Sequence, residues 1–322
     1  MDESPISFAS PLPAAPPEAR PQVILLATFI ACLAGALAGV LVYQLISMAF
    51  GLNTSLDPTQ LTADATSADR WQVRLLLGLN HLGTFVLSGA TVLYLFYRHY
   101  RPENGTNSAD WRHYLGWSPA PKSVLAGLAL LLMAVSLPLV LFSLEINKAL
   151  PLPDAFKIME EQTNEAIKAL LVMDSPWELL ANLTIIALLP ALGEELIFRG
   201  LLQKQLMRRI ANPWIALVLG AAIFSFIHFQ FEGFLPRMLL GLLLGWLYWR
   251  TGNFWIPVIA HFFNNGFQVV AQYLYGKDIS AIDLEQDISI PWYAAIASFL
   301  LLLGVALQIE KYLFNQPKHS KP

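Results

Sequence analysis

Long apolar runs separated by shorter polar stretches dominate the chain, at roughly 23–49, 73–97, 122–146, 177–206, 214–231, 235–250, 254–275 and 291–313. Crossing a hydrocarbon core of about 30 Å takes about 20 helical residues, and most of these runs approach that length. Helices are the expected form, because a lone strand in lipid leaves its backbone unpaired. The ten-residue alternation that a barrel requires does not recur either. The pattern predicts an all-α, polytopic membrane protein, a bundle of about eight transmembrane helices.

Small features inside the runs refine this picture. The first run is rich in Ala and Gly, and the sixth carries Gly241 and Gly245 four residues apart; both predict close helix contact. Pro138 removes a backbone donor from the third run and predicts a kink there. The eighth run, without charge until its end, reads as a wall helix.

The polar segments divide the chain into five parts. Residues 1–21, rich in proline, read as a disordered cytoplasmic tail. Residues 22–150 hold helices one to three, with an interfacial segment in which Arg98, Arg101, Arg112 and Lys122 alternate with Trp111, Tyr114 and Trp117. Residues 151–176 form an amphipathic extramembrane or interfacial segment, with Glu160 and Glu161 expected on its solvated face. Residues 177–275 contain the four helices that carry chemistry, and 276–322 an acidic loop, the last helix and a tail. Basic residues collect on one side of the alternation, which places both termini in the cytoplasm.

Composition narrows the class. Only 13% of the chain is charged and 56% is hydrophobic, against about 25% charged residues in a soluble domain. A net charge of -3 gives no basis for a nucleic-acid partner, and the lipid bilayer is the partner the composition does imply. The single cysteine, Cys32, excludes an intrachain disulfide and a multi-cysteine metal site.

Against that background, charges inside apolar sequence need a reason. The stretch PALGEELIFRG places Glu194, Glu195 and Arg199 in the fourth run. Adjacent helical positions diverge by about 100°, so the two glutamates face different ways. Glu195 is spaced to pair with Arg199, which leaves Glu194 for a polar cavity. The fifth run carries Phe224 and His228, and the seventh His261 and Asn265, each pair again four apart. A carboxylate beside an imidazole can take a proton from water, while another imidazole and a carboxamide donate to a developing oxyanion. That inventory suits hydrolysis of an amide bond.

Such a mechanism needs no cofactor. Zinc is the alternative, with Glu194, His228 and His261 as its ligands, but HExxH is absent. His81 reads as a satisfied polar residue between helices. A transporter would show paired inverted repeats, and none is convincing.

The three groupings, EELIFR from Glu194 to Arg199, FSFIH from Phe224 to His228 and HFFNN from His261 to Asn265, resemble the CPBP (CAAX protease and bacteriocin-processing, or Abi) family. That family includes the type II CAAX prenyl endopeptidases. The resemblance implies an intramembrane glutamate endopeptidase of a prokaryotic plasma membrane, acting on a membrane-associated or C-terminally modified peptide or protein. It implies Glu194 as general base, His228 as its partner in orienting water, and His261 with Asn265 as the oxyanion site. Glu195, Arg199 and Phe224 would support the site. The alternative use of the same bundle is a non-enzymatic bacteriocin-immunity or scaffold protein.

Overall fold

The computed structural model describes residues 19–62, 64–100, 110–117, 120–279 and 289–315. Most of the expected N-terminal tail, the centre of the acidic loop and the end of the C-terminal tail lie outside the described residues. Among the described residues, besides a single 3-10 turn at Pro58–Gln60, ten helical stretches follow in chain order: α1 (Pro21–Phe50), α2 (Ser67–Tyr97), the short α3 (Trp111–Leu115), α4 (Ser123–Lys148), α5 (Asp154–Leu170), α6 (176–209), α7 (Pro213–Phe226), α8 (Phe234–Thr251), α9 (Trp255–Ile279) and α10 (Trp292–Phe314).

The fold is all-α and that of a multi-pass membrane protein. Eight of these stretches coincide with the apolar runs. Among the described residues, four of them, α1, α2, α4 and α10, are long and apolar enough to cross a membrane on those criteria alone. At 14 residues, α7 reaches about 21 Å, short of a hydrocarbon core. The outward face of α1, with Leu26, Phe29, Leu33 and Leu37 exposed, is what lipid contact requires.

Small residues let the outer helices approach. A Cβ at Gly35 would lie 2.1 Å from the Gly83 carbonyl oxygen, so α1 meets α2 backbone to backbone. The helix at Gly83 is widened into a π turn over Leu82–Leu87. In α4 the helix runs on through Pro138. Ser298 of α10 spans the opened turn, accepting from Leu139 N at 3.2 Å and donating to the Val135 carbonyl at 2.5 Å.

The polar end of α2 fixes where α6 begins. Arg74, fully buried, donates to Glu178 Oε1 at 2.9 Å and to Asn182 Oδ1 at 2.8 Å. From there α6 alternates ordinary helix with π turns at Leu183–Leu188 and Leu196–Gln203. Such widened turns recur at functional sites because they redirect side chains within a continuous helix.

One expectation about α5 is corrected. Glu161 is exposed, but Glu160 is buried, and its Oε2 accepts from Glu232 N at 2.8 Å. The carboxylate turns inward because it meets an unpaired N–H in the α7–α8 connection, a partner 72 residues away. The same connection is pinned by Asn147, which donates to the Phe231 carbonyl and accepts from Leu235 N, both at 2.7 Å.

Candidate active site

The site is built on one face of α6. Arg199 donates through Nη1 to Glu195 Oε1 and through Nη2 to the Gly241 carbonyl, each at 2.9 Å. One turn on, Gln203 donates to the Gly245 carbonyl, also at 2.9 Å. Two buried side chains of α6 thus hydrogen-bond to the backbone of α8. Glycine makes this possible: a Cβ at Gly241 would come within 2.9 Å of Phe224 Cδ1, and one at Gly245 within 2.9 Å of Gln203 Oε1. The Arg199 guanidinium also lies over the Phe224 ring, 4.9 Å from its centroid, a cation–π contact strengthened where water is excluded.

His261 joins the two glutamates. Its Nδ1 stands 2.8 Å from Glu195 Oε1, and its Nε2 stands 3.9 Å from Glu194 Oε2. Glu195 is ion-paired with Arg199 and therefore an acceptor, so His261 Nδ1 carries the proton it donates there. Glu195 Oε2 is buried without a hydrogen-bond partner. Glu194 is buried as well, yet among the described residues it makes no direct hydrogen bond. The neighbouring carboxylates thus reach the same imidazole from two sides: Glu195 is engaged through Oε1 by both Arg199 and His261, while Glu194 is open.

His228 sits in the turn just beyond α7. Its Nδ1 lies 2.8 Å from the Phe224 carbonyl, which leaves Nε2 as the bare ring nitrogen. The Phe224 ring packs 5.2 Å from His228 and 6.2 Å from His261, a wedge between the two imidazoles. The next residue, Phe229, has φ of 53°, a left-handed conformation that is costly for a bulky side chain and reverses the chain after His228.

Asn265, one turn beyond His261, donates Nδ2 to the Ile186 carbonyl at 3.0 Å and accepts from Asn264 Nδ2 at 3.1 Å. The structure therefore brings Glu194, Glu195, Arg199, Phe224 and His261 into direct contact. His228 reaches the group through Phe224, and Asn265 lies along α9 against α6.

Among the described residues, no three or more His, Cys, Asp or Glu side chains are grouped so as to hold a metal ion. The expectation for His81 is corrected: its Nε2 is buried without a partner. Two site neighbours were not singled out in the sequence, Gln203 and Arg237. Arg237, a charge in the first turn of an apolar helix, carried the same signal that marked Glu194.

A buried glutamate–imidazole–arginine constellation inside a multi-pass helical bundle defines a hydrolase-like membrane site. Residues 176–267 match the family model described as "Type II CAAX prenyl endopeptidase Rce1-like". This segment holds every motif residue named above, and the match supports its likeness to the CPBP/CAAX (Rce1-like) membrane proteases. Two relatives from Bacillus subtilis are similar over shorter stretches. One, "Putative membrane peptidase YdiL", is 32% identical over 79 residues, 24% of this chain and 32% of the relative. The other, "Uncharacterized protein YpbD", is 33% identical over 85 residues, 25% of this chain and 40% of the relative. The matched stretch thus spans well under half the length of these relatives. No solved structure matches the chain.

Proposed function

We propose that the chain is a membrane-embedded endopeptidase in which Glu194 takes the proton of a water that attacks a peptide carbonyl. The observation that carries this reading is the unequal engagement of two neighbours: Glu195 is taken by Arg199 and His261, while Glu194 makes no direct hydrogen bond and faces His261 Nε2 at 3.9 Å. That gap exceeds a hydrogen bond, yet a separation of that size lets a single water hydrogen-bond to both atoms at once. His228, with Nδ1 committed to the Phe224 carbonyl, offers Nε2 as acceptor for the second proton of the water.

The oxyanion falls to the third motif. His261, turned by the hydrogen bond from its Nδ1 to Glu195, presents Nε2 to the developing negative oxygen, a role that requires a proton on that nitrogen. Asn265 adds the amide proton that Ile186 leaves unused. Glu194 then returns its proton to the leaving amine as the intermediate collapses. No step requires an added ion.

The substrate class that fits is a peptide or protein presented at the membrane. The topology that fits is eight membrane-embedded helical segments, α7 shorter than a full crossing, in a prokaryotic plasma membrane with both termini cytoplasmic. A mass-spectrometric cleavage screen of the purified protein in liposomes tests the reading. Products should appear with the wild type, with or without chelator, and vanish with Glu194→Gln; undiminished cleavage by that variant would overturn it.

A further inference from the structure

Arg237 has no role in the chemistry above, yet it stands beside it. On α8 it precedes Gly241 by four residues, one turn along the helix whose carbonyl receives Arg199. Its Nη1 donates to the Gln230 carbonyl at 3.1 Å and its Nη2 to Gln230 Oε1 at 2.9 Å. Gln230 is two residues past His228, on the turn that Phe229 reverses, so the guanidinium is tied to the segment carrying the water-orienting imidazole.

Its charge is not matched locally. Among the described residues no carboxylate lies within ion-pair distance of Arg237; Glu160 and Glu194 act on it only at longer range, and it in turn acts on His228. Glu160 is already committed to Glu232 N. A guanidinium has five N–H donors, and those of Arg237 not used on Gln230 are not sealed in. A half-buried cation without a paired anion is costly, and such arginines mark sites where an anionic ligand supplies the missing charge.

We infer that Arg237, held by Gln230, forms a carboxylate-binding subsite next to His228 that anchors an anionic group of the bound peptide. This rests on the endopeptidase reading for the identity of the ligand as a peptide. A guanidinium binds carboxylate through paired N–H donors, which fixes orientation as well as charge. The carboxylate has two sources, the C-terminus of the peptide or an Asp or Glu side chain. A lipid phosphate is the competing ligand, and the inward tie to Gln230 argues against it, because an arginine serving headgroups extends away from the bundle.

The test measures binding, so it stands apart from cleavage. A pool of lipid-anchored decapeptides is made in three forms: free acid without internal acids, C-terminal amide, and amide with one internal Asp. Retention on nanodisc-embedded Glu194→Gln protein is compared with that on Glu194→Gln/Arg237→Gln and Glu194→Gln/Arg237→Lys, with melting temperatures confirming that each is folded. One carboxylate-bearing form should be retained about tenfold or more above the plain amide, as a charged hydrogen bond predicts. Arg237→Gln should abolish that preference and Arg237→Lys restore part of it; which form is preferred identifies the source. Equal retention of all three forms, a preference that survives Arg237→Gln, or retention that follows only the anionic lipid content would overturn the inference. A preference without cleavage by the wild type would sink the endopeptidase reading and leave the subsite standing.

Discussion

His261 Nδ1 lies 2.8 Å from Glu195 Oε1, the same oxygen that receives Arg199. The second glutamate of the pair is therefore more than a counter-charge for arginine, since it also sets the tautomer and ring direction of the imidazole that faces Glu194. Glu195→Gln should impair both stability and turnover: it leaves a buried guanidinium unpaired and releases the ring. Glu194→Gln, at a residue with no direct hydrogen bond to lose, should keep the wild-type melting temperature and lose turnover. Melting curves and cleavage rates on both variants separate the roles; equal melting losses would contradict the division.

Arg199 is buried and bonded on two sides, to Glu195 and to the Gly241 carbonyl. Removing one member of a buried pair costs about 3–5 kcal/mol. Arg199→Ala should thus lower the melting temperature sharply or prevent accumulation of the protein. Arg199→Lys should recover little, because an ammonium lacks the planar fork that reaches both acceptors. Melting of Arg199→Lys in detergent checks this, and a wild-type value would show that geometry at this position is unimportant.

The glycines of α8 give a graded prediction. At Gly241 an added Cβ meets the ring of Phe224 at 2.9 Å, and Phe224 is itself packed against Phe198, His228 and Arg199. At Gly245 the clash is with Gln203 Oε1, the end of a flexible side chain. Overpacking typically costs about 1–3 kcal/mol, so Gly241→Ala should lie at the upper end and Gly245→Ala at or below the lower. Thermal unfolding of both variants under identical conditions tests the order, which is the informative quantity.

The contacts of the candidate site were legible in part because charge inside apolar sequence is rare and because four-residue spacing places Glu195 with Arg199 and His261 with Asn265 on shared helix faces. The close packing at Gly35 and Gly241 was legible for a similar reason: small residues have little other use at those positions. What escaped were contacts whose partner is backbone or far along the chain. Glu160 looks solvated because nothing in its own helix reveals that Glu232 N waits 72 residues away. The sharing of Glu195 between Arg199 and His261 depends on how α9 is set against α6, which local spacing does not determine. The shortness of α7 is hidden because its apolar run continues past Phe226 into the turn that holds His228.

Glu160 offers a prediction away from the reacting groups. Its carboxylate accepts from Glu232 N, and the turn it holds carries His228 at one end and Gln230 in its middle. Glu160→Ala leaves the part-buried Glu232 N–H without its acceptor, at a cost of about 1 kcal/mol, and should loosen that turn. Asn147 still pins Phe231 and Leu235, so the bundle should stay folded while the turn gains mobility. Amide hydrogen exchange across 227–235 should therefore rise and cleavage slow, with little change in melting temperature. Glu160→Gln keeps an oxygen acceptor at the same reach and should restore both quantities. If Gln behaves like Ala, the charge of Glu160 acting on Arg237 is what matters, and the hydrogen bond to the turn is secondary.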